Sequence, residues 1–264
     1  MKSSKLRPLW AVILFLTILT VGYQKQLQAG KEYFTYLPVV TSTIDINCDT
    51  AVSNYDTIYT VGSPYGGDPA TNIEFNLGYR GYERTSKPRK LVTLGPVHDT
   101  KAPQFNTIFA NNRLPTFSNT YQRYRWIDGR PVDTKSSWEV TVLGLATTPG
   151  EVLRLPDSGY DVGGGNDARI LYASEQRLTL KYTGEDNIVS GYTVYIEGIC
   201  VDPDLLALYN ALHAAGRKRM PAAPGGTPLG RALGNEIKVA VRDTGHFLDP
   251  RSCNDWWLAH NSGC

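Results

Sequence analysis

From Trp138 the chain becomes a series of short alternating segments, each bounded by turn residues. WEVTVLGLA (Trp138–Ala146) alternates, EVLRLP (Glu151–Pro156) follows a Pro-Gly turn, and ARILYA (Ala168–Ala173) follows Gly163-Gly164-Gly165. RLTLKYT (Arg177–Thr183), GYTVYIEG (Gly191–Gly198) and EIKVAVRD (Glu236–Asp243) continue the pattern. Period-two strands separated by turns predict a mainly β fold, a small β-barrel or sandwich, rather than alternating βα units. One short helix is inserted, over residues 203–216. Asp202 can accept the free amides of the first turn, Pro203 suits the first helical position, and Gly216 stops the helix. Leu205, Leu206, Leu208, Tyr209 and Leu212 form its apolar side. Arg217, Lys218 and Arg219 then read as a solvated helix exit, with a phosphate-binding patch as the alternative.

The preceding stretch is less regular. YFTYLPVV (Tyr33–Val40), IEFNLGYRGY (Ile73–Tyr82) and KLVTLG (Lys90–Gly95) are expected strands among turn clusters. The expected organisation is residues 1–29 as signal peptide or N-terminal anchor, 30–125 as an irregular β-rich segment or accessory domain, and 126–264 as the barrel domain. Lys2, Lys5 and Arg7 precede the apolar run Leu9–Val21, which is of signal-peptide length and short for a membrane span. Cleavage near Gln28-Ala29-Gly30 and retention as an anchor both stay open. Export permits disulfides, and Cys48, Cys200, Cys253 and Cys264 allow three pairings. One of them closes a small tail loop between Cys253 and Cys264 and leaves Cys48 with Cys200. No CxxC spacing points to zinc. A net charge of +2 on 264 residues, with no basic stripe interleaved with aromatics, gives no reason to expect nucleic acid.

The candidate chemistry is scattered. His98, His213, His246 and His260 show no paired metal spacing. His246, Asp243 and Ser252 share one local turn, but nothing orients a nucleophile against a base. Asp243, Asp249 and Asp255 cluster near the end, and paired carboxylates at the right separation do glycoside chemistry. Gly163-Gly164-Gly165 lacks the Lys-Ser/Thr of a phosphate loop and reads as a turn. The adjacent Trp256 and Trp257 would point opposite ways on a strand, leaving at least one exposed or covering a barrel end. On EIKVAVRD, Glu236 and Lys238 share a side with Arg242, while Ile237, Val239 and Val241 face the core.

GGTPLGRALGNEIKVAVRDTGHFLDP (Gly225–Pro250), GRPVD (Gly129–Asp133) and GYTVYIEG carry one likeness. In element order, from about Trp126 to Pro250, the chain resembles the lysostaphin-like (LytM, peptidase M23) endopeptidase domain. The resemblance implies a small β-barrel and, in that family, a zinc centre that cuts peptide cross-links in bacterial cell walls. The family's first metal histidine falls on Gly129, its aspartate on Asp133, its middle-strand histidine near Glu197 and its His-x-His on Glu236-Ile237-Lys238. Catalytic zinc needs three protein ligands and an open position, and a protonated lysine offers no lone pair. The resemblance is therefore either one of architecture alone or that of a degenerate member that has lost the metal.

The leading reading is an exported bacterial envelope or cell-surface protein that binds a wall or surface glycan, a peptide or another envelope protein without catalysis. Its expected binding residues are Asp133, Glu197, Glu236, Lys238, Trp256 and Trp257, with no cofactor and no metal. One alternative is a structural subunit of an extracellular assembly. Enzymatic alternatives are a zinc endopeptidase with unorthodox ligands such as Asp133, His98 and His246, and a carboxylate-based hydrolase using Asp243 or Asp249.

Overall fold

The computed structural model describes residues 25–28 and 31–34 by their backbone, and residues 46–52, 54–95 and 99–264. The apolar run Leu9–Val21, His98 and most of the strand expected over Tyr33–Val40 lie outside the described residues. The chain divides into two units, Met1–Ile44 and Asp45–Cys264. In the first, β1 (Lys25–Gln28) and β2 (Lys31–Phe34) pair antiparallel.

The second unit contains, in chain order, β3 (Asp56–Tyr59), the single-turn helix α1 (Leu77–Arg80), β4 (Tyr82–Thr85), β5 (Phe117–Arg123), β6 (Arg125–Ile127), β7 (Arg130–Asp133), β8 (Val142–Ala146), β9 (Val152–Arg154), β10 (Ala168–Ser174), β11 (Arg177–Lys181), β12 (Tyr192–Glu197), β13 (Ile199–Val201), α2 (Pro203–Ala214), β14 (Arg219–Ala223), β15 (Pro228–Ala232), β16 (Glu236–Asp243) and β17 (His246–Leu248). It is a mixed α/β fold dominated by antiparallel sheets, with a small helical component. The main sheet has ten strands in the order β3-β14-β10-β11-β12-β16-β8-β5-β4, with β17 added beside β16. A smaller sheet, β13-β15-β9, and the hairpin β6-β7 complete it.

The expected barrel is corrected here. The sheet begins at β3 and ends at β4, those two strands do not pair, and no closed barrel is found among the described residues. Strands from before and after residue 125 share this one open sheet, with β5 paired to β8 and β3 to β14.

Alternation assigns the two faces of the sheet. On one, Ile237, Val239 and Val241 pack with Val194, Ile196, Leu178, Leu180, Leu143 and Leu145 in the main core. On the other, Ala240, Tyr195, Val142 and Tyr121 form a smaller cluster with Leu77 of α1 and Phe247 of β17. This second face is covered because IEFNLGYRGY is not a strand throughout. The Asn76 side chain accepts the Tyr79 amide at 3.1 Å and starts α1, and Gly81, at φ +76°, ends it. KLVTLG likewise makes only an isolated bridge, from Val92 to Ser252.

Helix α2 forms where its caps direct. Asp202 Oδ1 accepts the amides of Asp204 and Leu205 at 3.0 and 3.3 Å. Its Oδ2 accepts the Thr50 amide and hydroxyl at 2.8 and 2.7 Å, so the cap also fastens the segment before β3. The basic run after the helix is neither a solvated exit nor a phosphate patch. Arg217 is 1% exposed and grips Asp186 through Nε and Nη2, both at 2.7 Å, while Arg219 reaches Thr57 on β3. The triple-glycine turn is filled from within, since Asp161 Oδ1 accepts the amides of Gly163 and Gly165.

The disulfides are Cys48–Cys200 and Cys253–Cys264, separated by 152 and 11 residues. They are consistent with an extracytoplasmic location. Among the described residues no helix is long and apolar enough to cross a membrane. Because a longer closed loop restrains the unfolded chain more, replacing Cys48 and Cys200 together by alanine should cost about 2–5 kcal/mol. Replacing Cys253 and Cys264 should cost less. Urea unfolding of the two double variants, compared at equal pH, measures the difference.

Candidate functional site

Three of the expected groove residues do come together. Glu197 and Lys238 are register partners on β12 and β16, and Glu236 lies two residues from Lys238 on the same side. They form a closed network rather than an open groove. Glu236 accepts from Ser118, Asn119 and Tyr121, and Lys238 Nζ lies 3.5 Å from its Oε1. Gly144 makes this possible, because a Cβ there would collide with the Glu236 carboxylate as it crosses β8 to reach β5. Glu197 accepts the Tyr82 hydroxyl at 2.6 Å and Arg177 Nε at 3.1 Å. Gly78 of α1 sits directly over that ion pair, where a side chain would clash with both members.

Asp133 stands apart on β7. Its carboxylate is gripped by Arg125 at 3.0 and 2.6 Å, a hydrogen-bonded pair that holds it well below the usual carboxylate range. Trp256 and Trp257 lie in a turn, so strand alternation does not apply, and both rings are buried at 2% and 0% exposure. Their indole N–H groups donate to the Asp249 and Pro250 carbonyls, both at 2.9 Å, and their rings pack around Phe105.

No group of three or more His, Cys, Asp or Glu residues among the described residues is placed to hold a metal ion. The open sheet and this donor set overturn the lysostaphin-like descriptor together with the barrel. The positions aligned to metal ligands carry Gly129 in a turn, Asp133 locked to Arg125, and Glu236 and Lys238 locked to each other. Nor do Asp243, His246 and Ser252 form a catalytic set, since the Ser252 hydroxyl is taken by Asp255.

The site that sequence reasoning missed lies further along the same face of β16. Arg242 of β16, Arg80 of α1 and Arg123 of β5 converge on a cavity of about 310 Å³, whose walls also include Ser136, Ser137, Trp138 and His246. Their guanidinium carbons lie 4.6, 5.3 and 5.5 Å from the centre of the Phe247 ring, close enough for cation–π attraction. Glu74 is the carboxylate in ion-pair contact with this group, to Arg80 at 2.7 Å and to Arg242. Burial would raise the Glu74 carboxyl, but Arg242 and Arg80 together hold it below its ordinary value. Arg80 and Arg242 are 6% and 5% exposed and are anchored further by the carbonyls of Ile73 and Gly245. Arg123 differs. Its Nε is buried with no hydrogen-bond partner in the structure, and its guanidinium is destabilised by burial and then by the charges of Arg80 and Arg242. The residue types carry no spacing signal, because the three arginines come from three distant segments.

Lys181 adds to the same positive field. It lies one strand beyond Arg242, through the register Lys181–Thr193–Arg242. Burial, reinforced by Arg242 and opposed by Glu185, pushes its ammonium down to about 8 from 10.5. Between those values the unfolded chain holds the proton that the folded chain has released. Stability contributed by this group therefore rises with pH from about 8 toward 10.5. Lys181→Met should abolish that rise. Urea midpoints at intervals from pH 7 to 9.5 should show the wild type gaining on the variant above pH 8.

No protein-family model matches the chain, and no curated protein matches its sequence.

Proposed function

We infer that the protein is an exported binding module of the cell envelope or surface, which captures an anionic group in the Arg80–Arg123–Arg242 pocket without transforming it. The disulfides support the extracytoplasmic setting. The observation that carries the binding reading is the charge imbalance in one cavity. Glu74 pairs with two of the three guanidinium groups, Arg80 and Arg242, and the third, Arg123, keeps a buried N–H without an acceptor. A carboxylate, sulfate or phosphate entering there would satisfy that donor and relieve the repulsion among the three arginines. Guanidinium forks suit such planar or tetrahedral oxyanions better than lysine does. Ser136, Ser137 and His246 on the wall supply further polar contacts.

Titration of inorganic sulfate and inorganic phosphate into the full chain at low ionic strength, followed by calorimetry, tests this. Saturable binding that weakens with added chloride is expected. Arg123→Ala removes a charge-assisted partner worth about 1.5–3 kcal/mol, so affinity should fall by about one to two orders of magnitude. Stability of the unliganded protein should hold or rise, because one of three like charges is gone. Absence of saturable binding, or an unchanged affinity in Arg123→Ala, would refute the reading.

A further inference from the structure

A second cavity, of about 320 Å³, shares Trp138 with the arginine pocket. Leu94, Tyr192, Leu248 and Trp256 give it apolar and aromatic walls, Asp243, Asp249 and Asp255 give it carboxylates, and Trp138 lines it as well as the first. The arrangement follows from alternation on β16. Arg242 and Asp243 are consecutive, so their side chains leave opposite faces of the strand, and the hairpin that joins β16 to β17 stands between the two cavities. β17 pairs with β16 alone among the named strands, and Trp138 lines both cavities.

The carboxylates of this cavity are not equivalent. Asp249 is committed to Arg251 through two contacts at 3.0 and 2.7 Å, and both residues are 2% exposed. Asp255 accepts from Ser252. Asp243 receives the Thr244 amide, which leaves acceptor capacity on a carboxylate with about four lone-pair sites. Lys181 acts on Asp243 with opposite charge and Asp99 with like charge, and Arg251 neutralises Asp249. The cavity thus offers strong acceptors beside flat aromatic surface, a combination that suits hydroxyl groups on a sugar ring.

We propose that the two cavities are subsites of one cleft joined across Trp138, and that its occupant is an anionic saccharide. The acid group of one sugar sits among Arg80, Arg123 and Arg242. The hydroxyls of the neighbouring sugar bond to Asp243, with the Trp138 ring between them as the stacking surface. This rests on the anion-binding reading above and names the polymer class for it.

The test uses the full chain with inorganic sulfate, glucuronate, cellobiose, cellobiouronate (glucuronate linked to glucose) and a 6-sulfated disaccharide. One of the two acidic disaccharides should bind at least about tenfold more tightly than glucuronate or sulfate, and cellobiose far more weakly. Trp138→Ala and Asp243→Asn should each remove that advantage, a loss of about tenfold. Asp243 lines only the second cavity, so Asp243→Asn should keep the wild-type sulfate affinity, and that unchanged binding shows that the variant is folded. If sulfate binds but neither disaccharide gains over it, or if both variants keep the gain, the two-subsite cleft is wrong and the anion pocket stands. If sulfate does not bind at all, both fail together.

Discussion

The constraint on which this structure most depends is the two-sided pattern of β16. The strand is bordered by β12 on one side and by β8 and β17 on the other, so its register orients the centre of the sheet. Ile237, Val239 and Val241 must enter the main core, and this forces Glu236, Lys238, Ala240 and Arg242 onto the other face. A one-residue slip would exchange the two sets and bury a run of charges in an apolar core. Everything described on the second face, from the Glu236 network to the arginine pocket, follows from that choice.

A face carrying so many charges would ordinarily be left to solvent. Here it is partly covered by α1 and β17, and each charge has to be answered. Glu236 and Glu197 are answered by hydroxyl, amide and cationic donors, which makes that end rigid and self-contained. The buried Asp186 between Arg217 and Arg169 is a second case, near β10 and the point where α2 returns into β14. Burial makes the Arg169 guanidinium less basic, down to about 10, even with Asp186 beside it. Such pairs add little net stability, because desolvation offsets attraction, but breaking one leaves a buried charge unanswered. Their effect is to fix geometry: helix exit, strand β10 and the turn at Asp186 are held in one arrangement.

Much of this was legible in the sequence, for local reasons. The period-two strands, the faces of EIKVAVRD and the Asp202-Pro203 helix start are short-range signals that packing reinforces. Other features were not. IEFNLGYRGY reads as a strand by its aromatics, yet Asn76 and Gly81 impose a turn of helix between them, and only the need to cover Ala240 and Tyr195 explains it. Closure of a barrel depends on whether the first and last strands meet, which no strand encodes by itself. Trp256 and Trp257 follow turn geometry rather than strand geometry, so the alternation argument did not apply to them. Arg80, Arg123 and Arg242 meet only through sheet order, and each alone looks like an ordinary surface cation.

The contrast between the two ends of that face argues for where a ligand belongs. At the Glu236 end, both carboxylates are met by hydroxyl, amide and cationic donors. At the Arg242 end, the Phe247 ring and Glu74 balance the cations only in part. Cation–π attraction to one shared ring is worth about 0.5–2 kcal/mol per contact and supplies no hydrogen-bond acceptor. The buried Nε of Arg123, like those of Arg154 and Arg169, has no hydrogen-bond partner, and of the three only Arg123 lines the cavity that Arg80 and Arg242 also line. An arrangement selected only for stability would replace Arg123 with a neutral side chain, since removing it costs no ion pair seen among the described residues and relieves repulsion. On the anion-binding reading proposed above, an anion arriving from outside supplies the acceptor that completes the site.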